Sequence, residues 1–123
     1  MGAEIFSTYQ SGKDVAQAFR EAVNAAAWEH GHGGYTGTLA EKDDYVVIGG
    51  DGAELQPRMN WTRLEVEWPD ATPVSLGQAQ ATADRLLDEA DPRVDDKWGP
   101  AGAIAVGSGG KVEGWLFFGW ASS

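Results

Sequence analysis

The chain has 123 residues, no cysteine, and 19 acidic against 9 basic residues, a formal charge of −10. That length suits one domain, 1–123, whose core can stand without disulfides or a structural metal, and the lack of cysteine points to a reducing compartment. Such a charge repels phosphate backbones and anionic membranes, which sets aside ordinary DNA or RNA binding and leaves a basic protein surface, or a small ligand in a local pocket, as partners. No apolar run reaches the roughly 18–20 residues that cross a bilayer. Met1 to Gln10 also lacks the basic start and apolar middle of a signal peptide, so the expected address is the cytoplasm.

Glu4 to Tyr9 is rich in β-branched and aromatic residues and reads as a first strand. Ser11, Gly12 and Asp14 then offer a turn and an N-cap, and Val15, Ala18, Phe19, Ala22, Val23 and Ala26 recur at helical spacing. That stripe predicts an amphipathic helix from Asp14 to about Trp28, stopped by Gly31. Tyr35 to Ala40 and Tyr45 to Ile48 read as two strands joined by the polar turn Glu41-Lys42-Asp43-Asp44. Trp61 to Trp68 alternates, with Thr62, Leu64, Val66 and Trp68 on one face, as in a half-exposed strand, with a short helix as the alternative.

Ser75 followed by Gln78 is a capping-box pattern, and Leu76, Ala79, Ala83, Leu86, Leu87 and Ala90 give a second helical stripe. Asp91-Pro92 ends it. Ala103 to Val106, the turn Gly107-Ser108-Gly109-Gly110 and Val112 to Trp120 read as a hairpin. Its last strand is apolar on both faces, as in a central strand or one covered by a second copy in a homo-oligomer. Together these elements predict an α+β two-layer sandwich: a mainly antiparallel sheet with two amphipathic helices on one face.

Chemistry concentrates in Glu29-His30-Gly31-His32-Gly33-Gly34-Tyr35-Thr36-Gly37-Thr38-Leu39-Ala40-Glu41-Lys42, which holds both histidines. Glycine lets backbone approach a ligand and aim N–H groups at an anion. His30, His32, Gly33, Gly34, Tyr35, Thr36 and Thr38 are therefore the candidate ligand-binding residues, with Trp98 or Trp61 as a stacking face. The bland alternative is a helix C-cap at Gly31 and a tight turn. A metal would draw on Glu29, His30 and His32, a thin donor set. No motif calls for a cofactor. Asp84, Asp88, Glu89, Asp91, Asp95 and Asp96 form an acidic stretch, either a solvated face or a DNA-mimicking, basic-protein-binding surface.

Gly31 to Lys42, with the Met1-Gly2-Ala3-Glu4 start and the Gly114-Trp115-Leu116-Phe117-Phe118-Gly119-Trp120 end, resembles a family of small proteins encoded by bacteriophages, chiefly phages of actinobacteria. The resemblance implies an accessory protein made in the host bacterial cytoplasm, of a class that often disarms host immunity. Three functional expectations follow. The first is sequestration of a nucleotide-derived ligand, the second an acidic protein-interaction inhibitor, and the third a metal-dependent hydrolase built on the His pair.

Overall fold

The computed structural model describes residues 2–30 and 36–123. In chain order its elements are β1 (Ala3–Ser11), α1 (Val15–His30), a 3₁₀ turn (Leu39–Glu41), β2 (Tyr45–Val47), β3 (Arg58–Asn60), β4 (Glu65–Glu67), α2 (Leu76–Asp88), β5 (Ala101–Ser108) and β6 (Lys111–Ser122). Four strands form one sheet in the order β1-β6-β5-β2, and β3 pairs with β4 alone. β6 runs antiparallel to both its neighbours, and β2 lies parallel to β5. The α+β class and the mainly antiparallel sheet are as the sequence predicts. Among the described residues, no helix is long and apolar enough to cross a membrane.

The helices, however, do not share a face. Side chains alternate along a strand, so odd and even positions of β5 and β6 belong to different layers. Ala101, Ala103, Ala105, Trp115, Phe117 and Ala121 pack with Val15, Ala18, Phe19 and Ala22 of α1. Ile104, Val106, Leu116 and Phe118 pack with Ala79, Ala83, Leu86 and Leu87 of α2. One helix therefore covers each face. The closing aromatic strand is a central strand of this chain's own core, with no need of a second copy to cover it.

Local chemistry sets the helix ends. Asp14 Oδ1 accepts from the Ala16 N–H at 3.2 Å and Ser75 Oγ from the Gln78 N–H at 3.1 Å, each satisfying a donor that the first turn leaves open. At the other end of α2 the Asp91 N–H returns to the Leu86 carbonyl and the Ala90 N–H to Leu87. That 6→1 and 5→2 pairing is a Schellman closure, and it forces Ala90 to φ 53°. Beyond it, Arg93 grips the Asp91 carboxylate through Nε (2.9 Å) and a terminal nitrogen (2.8 Å), and bonds the Gly52 carbonyl at 2.7 Å. This fork ties the α2 exit to the turn after β2.

Two outcomes follow for stability. Ala90→Gly removes the Cβ strain of the left-handed conformation and should raise the melting temperature, corresponding to about 0.5–1 kcal/mol; calorimetry checks it. The Arg93 hydrogen bonds hold the Asp91 pKa below its ordinary value of 3.8. A carboxylate lowered in the folded state stabilises above its unfolded value, and that contribution is lost as pH falls through the folded one. Asp91→Asn should therefore melt earlier than wild type at neutral pH, with the gap closing in strong acid. A gap independent of pH would mean that the fork's charge is not what stabilises.

Candidate functional site

His30 is the last residue of α1. Its side chain, with His32, Gly33, Gly34 and Tyr35, lies outside the described residues, so the paired-histidine part of the expected site is not described. Among the described residues no group of three or more His, Cys, Asp or Glu is placed to hold a metal.

The strand expected over Tyr35 to Ala40 is not formed in its described part. Thr36 Oγ1 donates to Glu41 Oε2 at 2.7 Å and lies 2.8 Å from Thr38 Oγ1. The Thr38 hydroxyl in turn caps the 3₁₀ turn by accepting from the Ala40 N–H at 3.2 Å. Hydroxyls that bond their own backbone compete with a sheet ladder, and here the local bonds win. The two threonines do meet, as a strand's alternation would have them do, but by closing a turn on each other.

Lys42, expected in a polar turn, is only 3% exposed. Its ammonium donates to the carbonyls of Asp96 (3.2 Å), Lys97 (3.2 Å) and Gly99 (2.8 Å). Burial draws its pKa below the usual lysine value, partly offset by the Asp96 carboxylate. The lock brings the loop carrying Trp98 to the same end of the sheet as Thr36 and Thr38, where the Gly37 N–H bonds the Ser122 carbonyl at 2.7 Å. Trp98 is exposed, with the Lys97 ammonium 5.4 Å from its ring centroid.

A concavity opens elsewhere, on the α1 face between the N-terminus of α1 and the β3–β4 hairpin. It is a cleft of about 770 Å³ lined by Lys13, Asp14, Val15 and Ala16 on one side and by residues 63–68 and Ala71 on the other, over Tyr45, Val112 and Trp115. Thr36, Thr38 and Trp98 are not among its lining residues. Trp115 is fixed from below, its indole N–H donating to the Lys13 carbonyl at 3.1 Å. Tyr45 packs at a tilt against Phe19, with 5.0 Å between ring centroids. Burial first, then the Asp14 and Asp44 carboxylates, push its phenol pKa up, so it stays protonated at neutral pH and can donate.

The cleft's charges are unevenly committed. Asp14 caps α1, while Glu67 accepts from Asn60 at 2.8 Å and pairs with Arg58 at 3.2 Å. Those two bonds, Asn60's being the stronger influence, hold the Glu67 pKa low. The Lys13 ammonium and the Arg63 guanidinium donate no hydrogen bond to any described residue, although the Arg63 charge adds to the lowering of the Glu67 pKa. The lining thus holds two cations beside the three carboxylates Asp14, Glu65 and Glu67, two of which are engaged in bonds of their own.

Sequence reasoning missed this cleft, because its walls come from four separated segments. Only the aromatic residues of Trp61 to Trp68 and the two-faced β6 gave any signal. No protein family matches the chain, and no curated protein or solved structure is significantly similar to it.

The Lys42 lock makes its own prediction. Lys42→Met leaves three carbonyls without their donor and should cost about 2–4 kcal/mol in chemical denaturation. A loss within experimental error would mean that water replaces the ammonium.

Proposed function

We propose that this chain is a small-molecule binding protein whose α1–hairpin cleft takes an anionic ligand bearing a planar ring, of about nucleotide size. The observation that carries this reading is a cavity holding aromatic walls and two cations, Lys13 and Arg63, whose side chains hydrogen-bond no described residue. Ligand pockets typically enclose roughly 300–1,000 Å³, and the cleft's volume falls within that span. Trp68 and Tyr45 offer faces to a ring, the Tyr45 hydroxyl a donor, and Lys13 and Arg63 charge for a phosphate or carboxylate. The sequence placed the same ligand class at His30 to Thr38. The cleft is the better host because its polar groups are available, whereas the Thr36 and Thr38 hydroxyls are engaged in their own turn.

Retention without turnover fits the lining, in which, among the described residues, no side-chain hydroxyl or amine is hydrogen-bonded to a carboxylate. Sequestering a nucleotide-derived signal, the role implied by the bacteriophage resemblance, asks no more than retention. A second reading, capture of a basic host protein, draws on the exposure of Asp84, Asp88, Glu89, Asp95 and Asp96 about the end of α2. Charge reversal at Asp88, Asp95 and Asp96 abolishes such capture if that surface is used.

Isothermal titration against mononucleotides, cyclic dinucleotides and ADP-ribose tests the first reading. Binding by at least one is expected. Trp68→Ala should weaken it by about tenfold or more, given roughly 1–3 kcal/mol for a stacked base. Lys13→Ala with Arg63→Ala should also flatten the salt dependence, while His30→Ala with His32→Ala leaves affinity unchanged. No heat with any of these ligands removes the proposal; loss in the histidine variant alone moves the site back to the loop.

A further inference from the structure

We infer that two copies of this chain pair through β1, joining their sheets into one continuous eight-stranded sheet about a twofold axis at Ser7. The two edges of the sheet differ. At the β2 edge the chain folds back on itself: the Leu55 N–H bonds the Val47 carbonyl and Ile48 bridges Glu54. Among the described residues the β1 edge has nothing of the kind. β1 is nine residues long, pairs only with β6 among the described residues, and holds no proline, no lysine and no bulge. An edge of that length and regularity is a template for another strand unless something blunts it.

Backbone phase decides what that strand can be. Gly2 exchanges both its hydrogen bonds with Ser123, and the Gly12 N–H bonds the Glu113 carbonyl. Even-numbered residues of β1 therefore face β6, and Ala3, Ile5, Ser7, Tyr9 and Ser11 turn their N–H and C=O outward. An antiparallel second β1 centred on Ser7 sets Ser7 against Ser7, Ile5 against Tyr9 and Ala3 against Ser11. Every such pair joins two outward-facing residues, so all of them are hydrogen-bonded pairs.

Side-chain phase agrees. Ile5, Ser7 and Tyr9 lie on the α2 face, opposite Trp120, Phe118 and Leu116 of β6. Ile5 is 54% and Tyr9 40% exposed. The twofold register lays each Ile5 on the other copy's Tyr9, the kind of aromatic–β-branched pair that stabilises sheets. It also places Glu4 opposite Gln10 and keeps the two Glu4 carboxylates apart.

The layers leave room for this. α2 packs over β5 and β6 and reaches β1 through the Ser7 hydroxyl, which donates to Gln80 Oε1 at 2.7 Å and leaves the Ser7 backbone N–H and C=O outward. α1 packs over β1 and β6, and with strands about 4.8 Å apart the two α1 axes fall roughly 10 Å from each other, a helix-packing distance. Gln10 binds Glu21 at this edge, and Trp28, two turns further along α1, is 86% exposed. One buried Trp of that kind supplies on the order of 200 Å² per copy. Added to nine residues of backbone, Ile5 and Tyr9, it approaches the roughly 800 Å² per partner of a standard interface. Like charge on the two copies opposes pairing, so the dimer should tighten with added salt.

The absence of cysteine allows a register-specific test. In a hydrogen-bonded antiparallel pair, Cα atoms sit about 5.5 Å apart, within disulfide reach. Ser7→Cys should give a covalent dimer rapidly under mild oxidation. Ile5→Cys, whose two copies lie about 13 Å apart along the strands, should cross-link far more slowly. Sedimentation equilibrium should show a wild-type dimer and an Ile5→Lys variant whose dissociation constant is raised at least tenfold. Wild-type monomer at high micromolar concentration, or Ile5→Cys cross-linking as fast as Ser7→Cys, overturns the inference.

Discussion

The structure depends on one constraint: from Gly114 onward β6 has no solvent face. Trp115, Leu116, Phe117 and Phe118 are all almost fully buried, and they point alternately to opposite sides of the sheet. A strand that is apolar on both sides needs a neighbour on each edge and a layer on each face. β1 and β5 supply the edges, α1 and α2 the faces. The small residues of β5 follow from this demand. A Cβ at Gly102 would collide with the Phe118 ring, and Ala101, Ala103 and Ala105 leave room for the Trp115 and Phe117 rings beneath α1.

Much of this was legible. Both helices announced themselves by stripe and cap, and the β5–β6 hairpin by its glycine turn. Yet the sequence carried a contradiction in the two-layer reading. If β6 is apolar on both faces, helices stacked on one side leave Leu116 and Phe118, or Trp115 and Phe117, in water. Parity resolves it, since Ile104 and Val106 join the even set and the alanines join the odd one. Trp61 to Trp68 failed for a different reason. Its alternation holds only from Glu65 onward, because Asn60 Oδ1 accepts from the N–H groups of both Thr62 and Arg63 at 3.1 Å and bends the chain. Leu64, at φ 56°, then completes the hairpin turn. Side-chain capping of a turn overrode β-propensity.

The site was less readable, and for a physical reason. Lys42 looks like any lysine in a run of charges, and nothing local reveals that three carbonyls more than fifty residues away converge on it. The cleft is equally non-local: Lys13 and Asp14 precede α1, Tyr45 opens β2, Trp68 leaves β4 and Trp115 lies in β6. Each has a sufficient local explanation as cap, core or strand. Their shared concavity exists only because β6 is central and puts the start of α1 beside its Trp115.

The two walls of that cleft differ in rigidity. The α1 side is anchored by Val15, Ala18 and Phe19 in the core, whereas the opposite side is a hairpin of two three-residue strands. Such a hairpin is marginal by itself in water. Met59, Trp61, Leu64 and Val66 are exposed on it, and its attachments are the partly buried Trp68 and Ala71 packed against the α1-side core. Bonds from Arg58 and Asn60 to Glu67 hold it together internally, yet none of them reaches the main sheet. A ligand bridging Arg63 and Trp68 to Tyr45 and Lys13 would therefore bind an ordered floor through a loosely tethered wall. Affinity in that arrangement is set as much by the ordering of the hairpin as by the contacts themselves.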